Sequence, residues 1–564
     1  MTFGRNHRGP LLSSDERLAQ VLAGLAAALL LIFLVWPLAE ILVKALQTSD
    51  GRFAGLGALS AVVRDPRLQR AAWNSLAIAT VSTALVVPAA LVFAFALTQA
   101  QVPGRPVFKL IALSPLLTPS LLPAISVVYL FGHQGLLKGW MHGVPIYGPA
   151  GILMGECFYV FPYAFLVLAT ALGVADARLY EAAEALGASR FRRFVTVTVP
   201  NIRYGLISAC MIVFTLVITD FGVPVVVGGS TNVLALEAYK QVLGQQNFQK
   251  GAAIGLLLLA PAVASFVAER WLARGRSGAL SGGGKAYVAK RNPLRDGALW
   301  CWCALVCVFL LALTGTAVVA SFMKLWPYNL HFTLAHYDFA NMDGGGWLAF
   351  HNSLKLGGLT VLVGCTVVFA GAYLLEKTPA PRPVAALIQS LALVPMAVPG
   401  LVLGLGYVFC FNRPGNPLHR LYGTLAILVI STVVHYYTTA HMAIMTSLRQ
   451  IDGEAEAVSR SLRRPWWTTC RRVTVPMTLP VLLDVARFFF VSATTTVSCV
   501  IFLYTPDTVL ASVAVLNMDD AGDTAPAAAM ATLIVLSCLA VTLIFNGAGW
   551  LLNRRAQAWR RSPA

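Results

Sequence analysis

Charged side chains are scarce in this chain of 564 residues, where Asp, Glu, Lys and Arg together make up 12%. Soluble proteins carry about 25%. So few charges cannot cover the surfaces of several water-exposed domains, which argues against a soluble enzyme or a soluble binding module. Hydrophobic residues make up 57% of the chain, and the mean hydropathy is +0.72. This composition predicts an integral membrane protein.

Acidic residues are the scarcer charged class, with 24 against 42 basic residues and a formal net charge of +18. A basic chain can bind nucleic acid, but these basic residues gather in alternate segments between apolar runs. If the N-terminus lies inside, most of the Lys and Arg residues fall in the inner segments, as the positive-inside rule requires. We therefore expect both termini in the cytoplasm, contact with anionic membrane lipid, and no nucleic-acid partner.

Motifs for chemistry within the chain are also missing. The stretch nearest to a phosphate-binding loop, at 278–286, has Ala279 and Ala286 where such a loop needs Gly and Ser/Thr. No small-residue cleavage site follows the first apolar run, which predicts a retained helix. The cysteines of CWCALVC (301–307) lie in an apolar run and are typical of packing residues. We expect no catalytic residue, metal site or cofactor here.

Long apolar runs are what the sequence does contain. A membrane-spanning helix needs about 20 apolar residues, and twelve runs qualify. They lie near 18–44, 73–98, 107–132, 148–173, 204–228, 252–272, 298–323, 351–375, 384–411, 421–447, 477–503 and 525–552.

The chain repeats itself at nearly constant spacing. The matches, in chain order, are WNSLAIATV (73–81) with HNSLKLGGL (351–359), Pro115 and Pro119 with Pro395 and Pro399, and VTVP (197–200) with VTVP (473–476). Matches in one order at nearly one spacing predict two homologous halves of six spans each, at 1–273 and 298–564. The segment between them, 274–297, is rich in Gly and Ser and basic, which predicts a cytoplasmic linker.

Each half carries a charged segment between its fourth and fifth spans. The first reads YEAAEALGASRFRRFVTVTVP (180–200) and the second EAEAVSRSLRRPWWTTCRRVTVP (454–476). Glu, Ala and Leu favour a short helix, and Gly187 then predicts a turn. We expect a helix, a turn and a second helix beneath the membrane, which would present a knob to a cytoplasmic partner.

The first of these segments resembles the EAA loop of permease subunits of ABC importers. In that family the loop forms a coupling helix that docks into a groove on the ATPase subunit. The second copy has drifted, because counting back from Pro476 places Ala457, and not Glu456, opposite Glu181. The resemblance assigns ATPase coupling to Glu181, Ala182, Ala183, Gly187, Pro200, Glu456, Ala457 and Pro476.

The resemblance covers nearly the whole chain. Two fused halves resemble the ferric-iron, thiamine and phosphonate branch of type I importers, which implies an all-α, MetI-like fold. The segment at 494–531 is similar to permeases of 2-aminoethylphosphonate importers, so this is the expected solute, with ferric iron, thiamine or a polyamine as alternatives. The family also implies two cytoplasmic ATPase subunits, which would hold ATP and Mg²⁺, an extracytoplasmic solute-binding protein, alternating access and the bacterial inner (plasma) membrane.

An ion-coupled secondary transporter is the alternative class, since it too has twelve spans and a repeat. Its coupling would fall to carboxylates within the spans, here Glu156 and Asp220. The repeated loop favours the ABC permease, because a carrier needs no docking knob. In either class these carboxylates, hydroxyls and aromatic rings are candidates for the substrate path. The candidates are Glu156, Asp220, His435, Tyr436, Tyr437, Thr494, Thr495 and Thr496.

Overall fold

The structure is a computed structural model that describes residues 14–48, 52–173, 177–273, 291–340, 344–462 and 464–556. These residues are almost entirely helical, and the one two-stranded sheet among them joins β1 (Met323–Leu325) to β2 (Asn329–Phe332). The all-α prediction is therefore confirmed. Most of the linker predicted at 274–297, with the stretch at 278–286, lies outside the described residues.

Ten helices in the described part are long and apolar enough to cross a membrane, and two bent pairs raise the number to twelve. The helices of the first half are α1 (Ser14–Ala45), α2 (Leu56–Val63), α3 (Pro66–Gln99), α4 (Arg105–Leu117), α5 (Leu121–Phe131), α6 (Pro149–Gly173), α7 (Ala177–Ala185), α8 (Phe191–Thr219), α9 (Gly222–Val227), α10 (Leu234–Tyr239) and α11 (Phe248–Ala273). Those of the second half are α12 (Pro293–Ser321), α13 (Gly346–Lys377), α14 (Arg382–Ala397), α15 (Gly400–Phe411), α16 (Leu425–Gln450), α17 (Glu454–Ser461), α18 (Trp466–Thr495), α19 (Ala511–Asp520) and α20 (Thr524–Ala556).

The third span of each half is broken, whereas the sequence predicted continuous helices at 107–132 and 384–411. Helices α4 and α5 meet at 104°, and α14 and α15 meet at 114°. The residues before Pro119 and Pro399 explain both breaks. Thr118 has φ −106° and ψ 141°, and Val398 has φ −101° and ψ 116°. A residue before proline avoids the helical region because the proline ring collides with it, so each helix ends there.

The fifth span of each half also ends earlier than the predicted 204–228 and 477–503. Helix α8 stops at Thr219 and α18 stops at Thr495. The next residues, Asp220 and Thr496, have the same extended backbone, with φ and ψ of −74° and 139° in the first and −70° and 141° in the second. They lie 276 positions apart. The two halves therefore share the same break inside the membrane region.

The first helix of each half packs on the other half. Residues of α1 join a buried cluster with α13, α14 and α16, and residues of α12 join one with α3, α5 and α6. The repeat predicted two halves but not this exchange, because a periodic apolar run does not specify which neighbour buries it. The exchange ties the halves together through apolar contacts, which the hydrophobic effect and close packing stabilise.

Candidate functional site

The first predicted coupling loop is a helix that ends at a left-handed glycine. Gly187 has φ +72°. The N–H of Ala188 donates to the carbonyl of Ala183, and the N–H of Gly187 donates to the carbonyl of Glu184, both at 3.0 Å. This pair of bonds is the Schellman motif, in which glycine avoids the strain that a β-carbon suffers at positive φ. The predicted turn at Gly187 is thus present, and it ends α7.

The second loop repeats the same hydrogen bond. The N–H of Arg464 donates to the carbonyl of Ser459 at 3.0 Å. These residues lie 276 positions after Ala188 and Ala183. The second loop therefore keeps this helix-ending hydrogen bond although its sequence has drifted from the EAA pattern.

Both loops present apolar side chains to the solvent at equivalent positions. Leu186 is 86% exposed and Phe191 is 78% exposed in the first loop. Their counterparts 276 positions later, Leu462 and Trp467, are 66% and 45% exposed. Exposed apolar side chains of this kind are typical of surfaces that contact another protein or the membrane. The four side chains, Leu186, Phe191, Leu462 and Trp467, are called the apolar knobs below.

The knobs sit beside the residues to which the sequence assigned coupling. Glu181, Ala182, Ala457, Pro200 and Pro476 are exposed, and Ala183 is half-buried. Just before each proline the helix widens into a π-helical turn, at Phe194–Thr198 and at Cys470–Thr474. Proline cannot donate to the carbonyl four residues earlier and its ring collides with it. The wider turn accommodates the missing hydrogen bond and leaves room for the proline ring.

Glu456 is largely turned away from solvent. Its carboxylate lies 3.1 Å from the ammonium group of Lys377 on α13, and both side chains are largely buried. The residue 276 positions earlier is Tyr180, whose hydroxyl donates to Thr198 Oγ1 at 3.0 Å. Both residues therefore attach a loop helix to the membrane helices, and any role of Glu456 in coupling is indirect.

A second group of candidates meets inside the membrane region, at the break that follows α8. Glu156 lies in α6 and is fully buried, and its carboxyl group interacts with that of Asp220. Asp220 Oδ2 accepts a hydrogen bond from the N–H of Val223 at 2.9 Å, so Asp220 also caps α9. Two carboxyl groups in contact among apolar helices are costly.

Three tyrosines lie near these carboxyl groups. Tyr159 and Tyr163 follow Glu156 by three and seven residues, so all three share one face of α6, and the two rings lie 6.1 Å apart. Tyr436 of α16 reaches the same group from the other half and interacts with Thr496. All three tyrosines keep part of their surface accessible although they lie between membrane helices. We call Glu156, Tyr159, Tyr163, Asp220 and Tyr436 the carboxyl–tyrosine cluster.

The structure does not bring every predicted path residue to this cluster. The Tyr437 ring stacks on His441 with centroids 5.4 Å apart and is buried in the second half. Thr494 is buried against Cys538 of α20, with Oγ1 and Sγ 3.1 Å apart, and Thr495 donates to the carbonyl of Val491. Tyr437 and Thr494 are packing residues in this conformation, and Thr495 is half-buried.

His435 and Thr496 do lie at the cluster. The His435 ring is next to that of Tyr436, with centroids 4.6 Å apart. Thr496 is buried, and its Oγ1 lies 3.3 Å from Cys499 Sγ. Of the predicted path residues, the structure thus brings Glu156, Asp220, His435, Tyr436 and Thr496 near one another, and their role in a substrate path stays a prediction.

Sequence reasoning missed Tyr159 and Tyr163. Their spacing of three and seven residues from Glu156 was a readable signal for one helix face. It also missed that Glu156 and Asp220 have counterparts in the other half, Thr432 and Thr496, both 276 positions later. The constant spacing of the repeat would have given both pairs.

A family model described as the binding-protein-dependent transport system inner membrane component matches residues 54–278 and 368–548. The two matches fall one in each half and together cover most of the chain, so the chain belongs to this family. The fold and the paired loops described above agree with this class, and the predictions of a multi-pass inner-membrane protein and of an ABC importer permease are confirmed at this level.

Particular relatives differ in what their names say they carry. The ferric transport system permease protein FbpB of Actinobacillus pleuropneumoniae is 27% identical over 484 residues, covering 82% of this chain and 68% of that protein. The probable ABC transporter permease protein y4fN of Sinorhizobium fredii is 24% identical over 538 residues, covering 91% and 93%. The spermidine/putrescine transport system permease protein PotB of Haemophilus influenzae is 26% identical over 201 residues, covering 34% and 70%.

Proposed function

We propose that this chain is a two-half permease of an ATP-driven importer, in which the two loops dock separate cytoplasmic ATPase subunits. The apolar knobs carry the proposal. Two exposed apolar pairs, Leu186 with Phe191 and Leu462 with Trp467, stand at equivalent positions of two loops of like shape. A pair of identical partner subunits needs two such surfaces, whereas a self-contained carrier needs none.

The proposed cycle uses the loops to move the halves. Closure of the ATPase subunits around ATP and Mg²⁺ draws the loops together, and each loop is attached to membrane helices by Tyr180 or Glu456. The halves then rock and switch the path between its inward-facing and outward-facing states. A solute-binding protein delivers the solute from outside. This chain performs no covalent chemistry in the cycle.

The proposed orientation places both termini and both loops in the cytoplasm. The support is the distribution of Lys and Arg, which favours that side. The loops, the end of α11 and the start of α12 then lie on the same side as the segment that links the halves.

The proposed solute is 2-aminoethylphosphonate. The support is the resemblance of 494–531 to permeases for this solute, and this segment supplies Thr496 to the carboxyl–tyrosine cluster. Ferric iron is the second candidate, because the FbpB relative is named for ferric transport. The cluster favours a solute with a cationic part in either case, since it pairs carboxyl groups with aromatic rings.

Uptake in cells tests the function and the solute together. Cells that express the chain with its ATPase and binding protein should accumulate radiolabelled 2-aminoethylphosphonate, and deleting either partner should abolish this uptake. Uptake should also survive collapse of the proton gradient while ATP is maintained. Uptake that needs the gradient and neither partner would contradict the function. A binding protein that prefers ferric ion would leave the function intact and replace the solute.

A further inference from the structure

The carboxyl group of Glu156 has no evident role in holding the fold together, and that of Asp220 has one, the hydrogen bond from the Val223 N–H. Both oxygens of Glu156 are buried, and among the described residues no backbone N–H or hydroxyl donates to them. The group that Glu156 meets is the Asp220 carboxyl. A buried carboxyl group without donors is destabilising, so its presence calls for another explanation.

The other half shows that this fold can use neutral side chains at the same two positions. Thr432 and Thr496 replace Glu156 and Asp220, and the backbone at Thr496 matches that at Asp220. Thr432 is buried and donates to the carbonyl of Leu428 at 2.8 Å, so it satisfies its own hydroxyl. A threonine can also cap a short helix. Neither the helix break nor the packing therefore requires carboxyl groups.

The surroundings of the pair suit a cation. The interactions that the structure gives Asp220 come from the backbone of Phe221, Gly222 and Val223 and from Glu156, and no Lys or Arg of the described chain is among them. Tyr159, Tyr163 and Tyr436 add aromatic faces and phenol oxygens, which attract ammonium groups and ligate hard metal ions. An anionic group would be repelled by the same carboxylates.

From this geometry we propose that Glu156 and Asp220 form a cation subsite of the solute path, which holds the positively charged part of the solute. The proposal rests on the proposed transport function. Asp220 keeps accessible surface and contacts the cation, whereas Glu156 lies behind it, fully buried, with its carboxyl group next to that of Asp220. For an aminophosphonate the subsite takes the ammonium group and leaves the phosphonate outside. For ferric transport it takes the metal ion.

The test replaces each carboxyl residue with threonine, the residue at the equivalent position of the other half. Glu156→Thr and Asp220→Thr are compared with wild type in the complete transporter, reconstituted with its ATPase and binding protein in liposomes. The matched control is Thr494→Ser, a buried change that faces α20 away from the cluster. Uptake of 2-aminoethylphosphonate and of ferric ion is measured, with ethylamine and ethylphosphonate present on the inner side as competitors.

We expect Asp220→Thr to lower uptake at limiting solute at least 30-fold and Glu156→Thr at least tenfold, with the control near wild type. Ethylamine, a bare cation, should slow wild-type uptake more than ethylphosphonate does, and the Asp220→Thr variant should lose this difference. The ammonium and metal forms of the subsite are distinguished by which of the two solutes wild type accumulates.

Two other results have separate meanings. ATP-dependent uptake that is equal in wild type and both variants would overturn the subsite and leave the transport function standing. Wild type without ATP-dependent uptake of either solute would overturn the proposed transport of these two solutes. If a threonine variant fails to assemble, Asp220→Asn preserves the side-chain shape and the acceptor for the Val223 N–H, and it should show the same loss of uptake.

Discussion

Truncation of the apolar knobs should weaken the attachment of the ATPase subunits in proportion to the exposure of each side chain. Full burial of a leucine side chain is worth about 1.5–3 kcal/mol. Leu186 is 86% exposed in the isolated chain, so covering it would contribute about 2 kcal/mol. Leu186→Ala should then raise the dissociation constant of the ATPase roughly 10- to 30-fold. Leu462 is 66% exposed, and Leu462→Ala should raise it by a smaller factor, roughly 5- to 10-fold.

The assay is direct binding of the purified ATPase to the permease in nanodiscs, because uptake alone would not separate docking from later steps. Leu551→Ala is the matched control, since Leu551 is 53% exposed at the end of α20, on the same side as the loops. It should bind the ATPase as wild type does. Equal dissociation constants for wild type, Leu186→Ala and Leu462→Ala would refute the assignment of the knobs as the docking surface.

The remaining predictions concern the loops and one acidic residue beyond the spans. At Gly187 a β-carbon would meet no atom within 4 Å, so the only cost of Gly187→Ala is local backbone strain of about 1–2 kcal/mol, which should lower uptake. Gly187→Asn should retain most uptake, because asparagine tolerates positive φ. Equal uptake by the two variants would show that the left-handed turn does not matter for transport. Glu456→Ala should lower the free energy of unfolding of the permease by about 3–5 kcal/mol, because it leaves the Lys377 ammonium buried without its carboxylate partner. The exposed control Glu454→Ala should leave the melting temperature unchanged. An unchanged melting temperature for Glu456→Ala as well would count against the buried pair. Burial raises the pKa of Asp519 from 3.8 to about 6; ionisation therefore opposes folding, and the penalty is absent below about pH 4 and complete above about pH 6. Asp519→Asn should thus raise the melting temperature at pH 7.5 and leave it unchanged at pH 4, a difference worth at most about 3 kcal/mol, and a variant without this pH dependence would contradict the effect of burial.

Most of the fold that the sequence could predict follows from the internal repeat and the charged loops. Twelve spans, two halves and a helix–turn unit ending at Gly187 all follow from apolar run length, internal spacing and glycine chemistry. These features depend on local composition, which a single sequence displays in full. The degenerate second loop still folds like the first, as the bond from Arg464 to Ser459 shows, because the backbone turn tolerates changes in the side chains around it.

The prolines of the third spans predict the helix breaks, whereas apolar run length predicts continuous spans. Pro119 and Pro399 were used as markers of the repeat, and their effect on the preceding residue was overlooked. Hydropathy does not register such a break, because both halves of a bent pair are apolar. For the same reason hydropathy predicts ends of α8 and α18 that lie several residues too late.

Other features depend on contacts between distant parts of the chain. The exchange of α1 and α12 between the halves joins residues hundreds of positions apart, and no local pattern encodes it. Glu456 looked like a remnant of the EAA motif, yet the structure pairs it with Lys377. Tyr437 and Thr494 looked polar enough for the path, and the direction of their helix faces buries them in the second half.

The most direct measurement of the central claim is the energy source of solute accumulation by purified components. The permease alone in liposomes should hydrolyse no ATP and accumulate no solute under a proton or sodium gradient. With its ATPase, its binding protein and ATP supplied, the same liposomes should concentrate 2-aminoethylphosphonate or ferric ion against a gradient. Concentrative uptake by the permease alone under an ion gradient, with no gain from ATP and the partner subunits, would contradict the account.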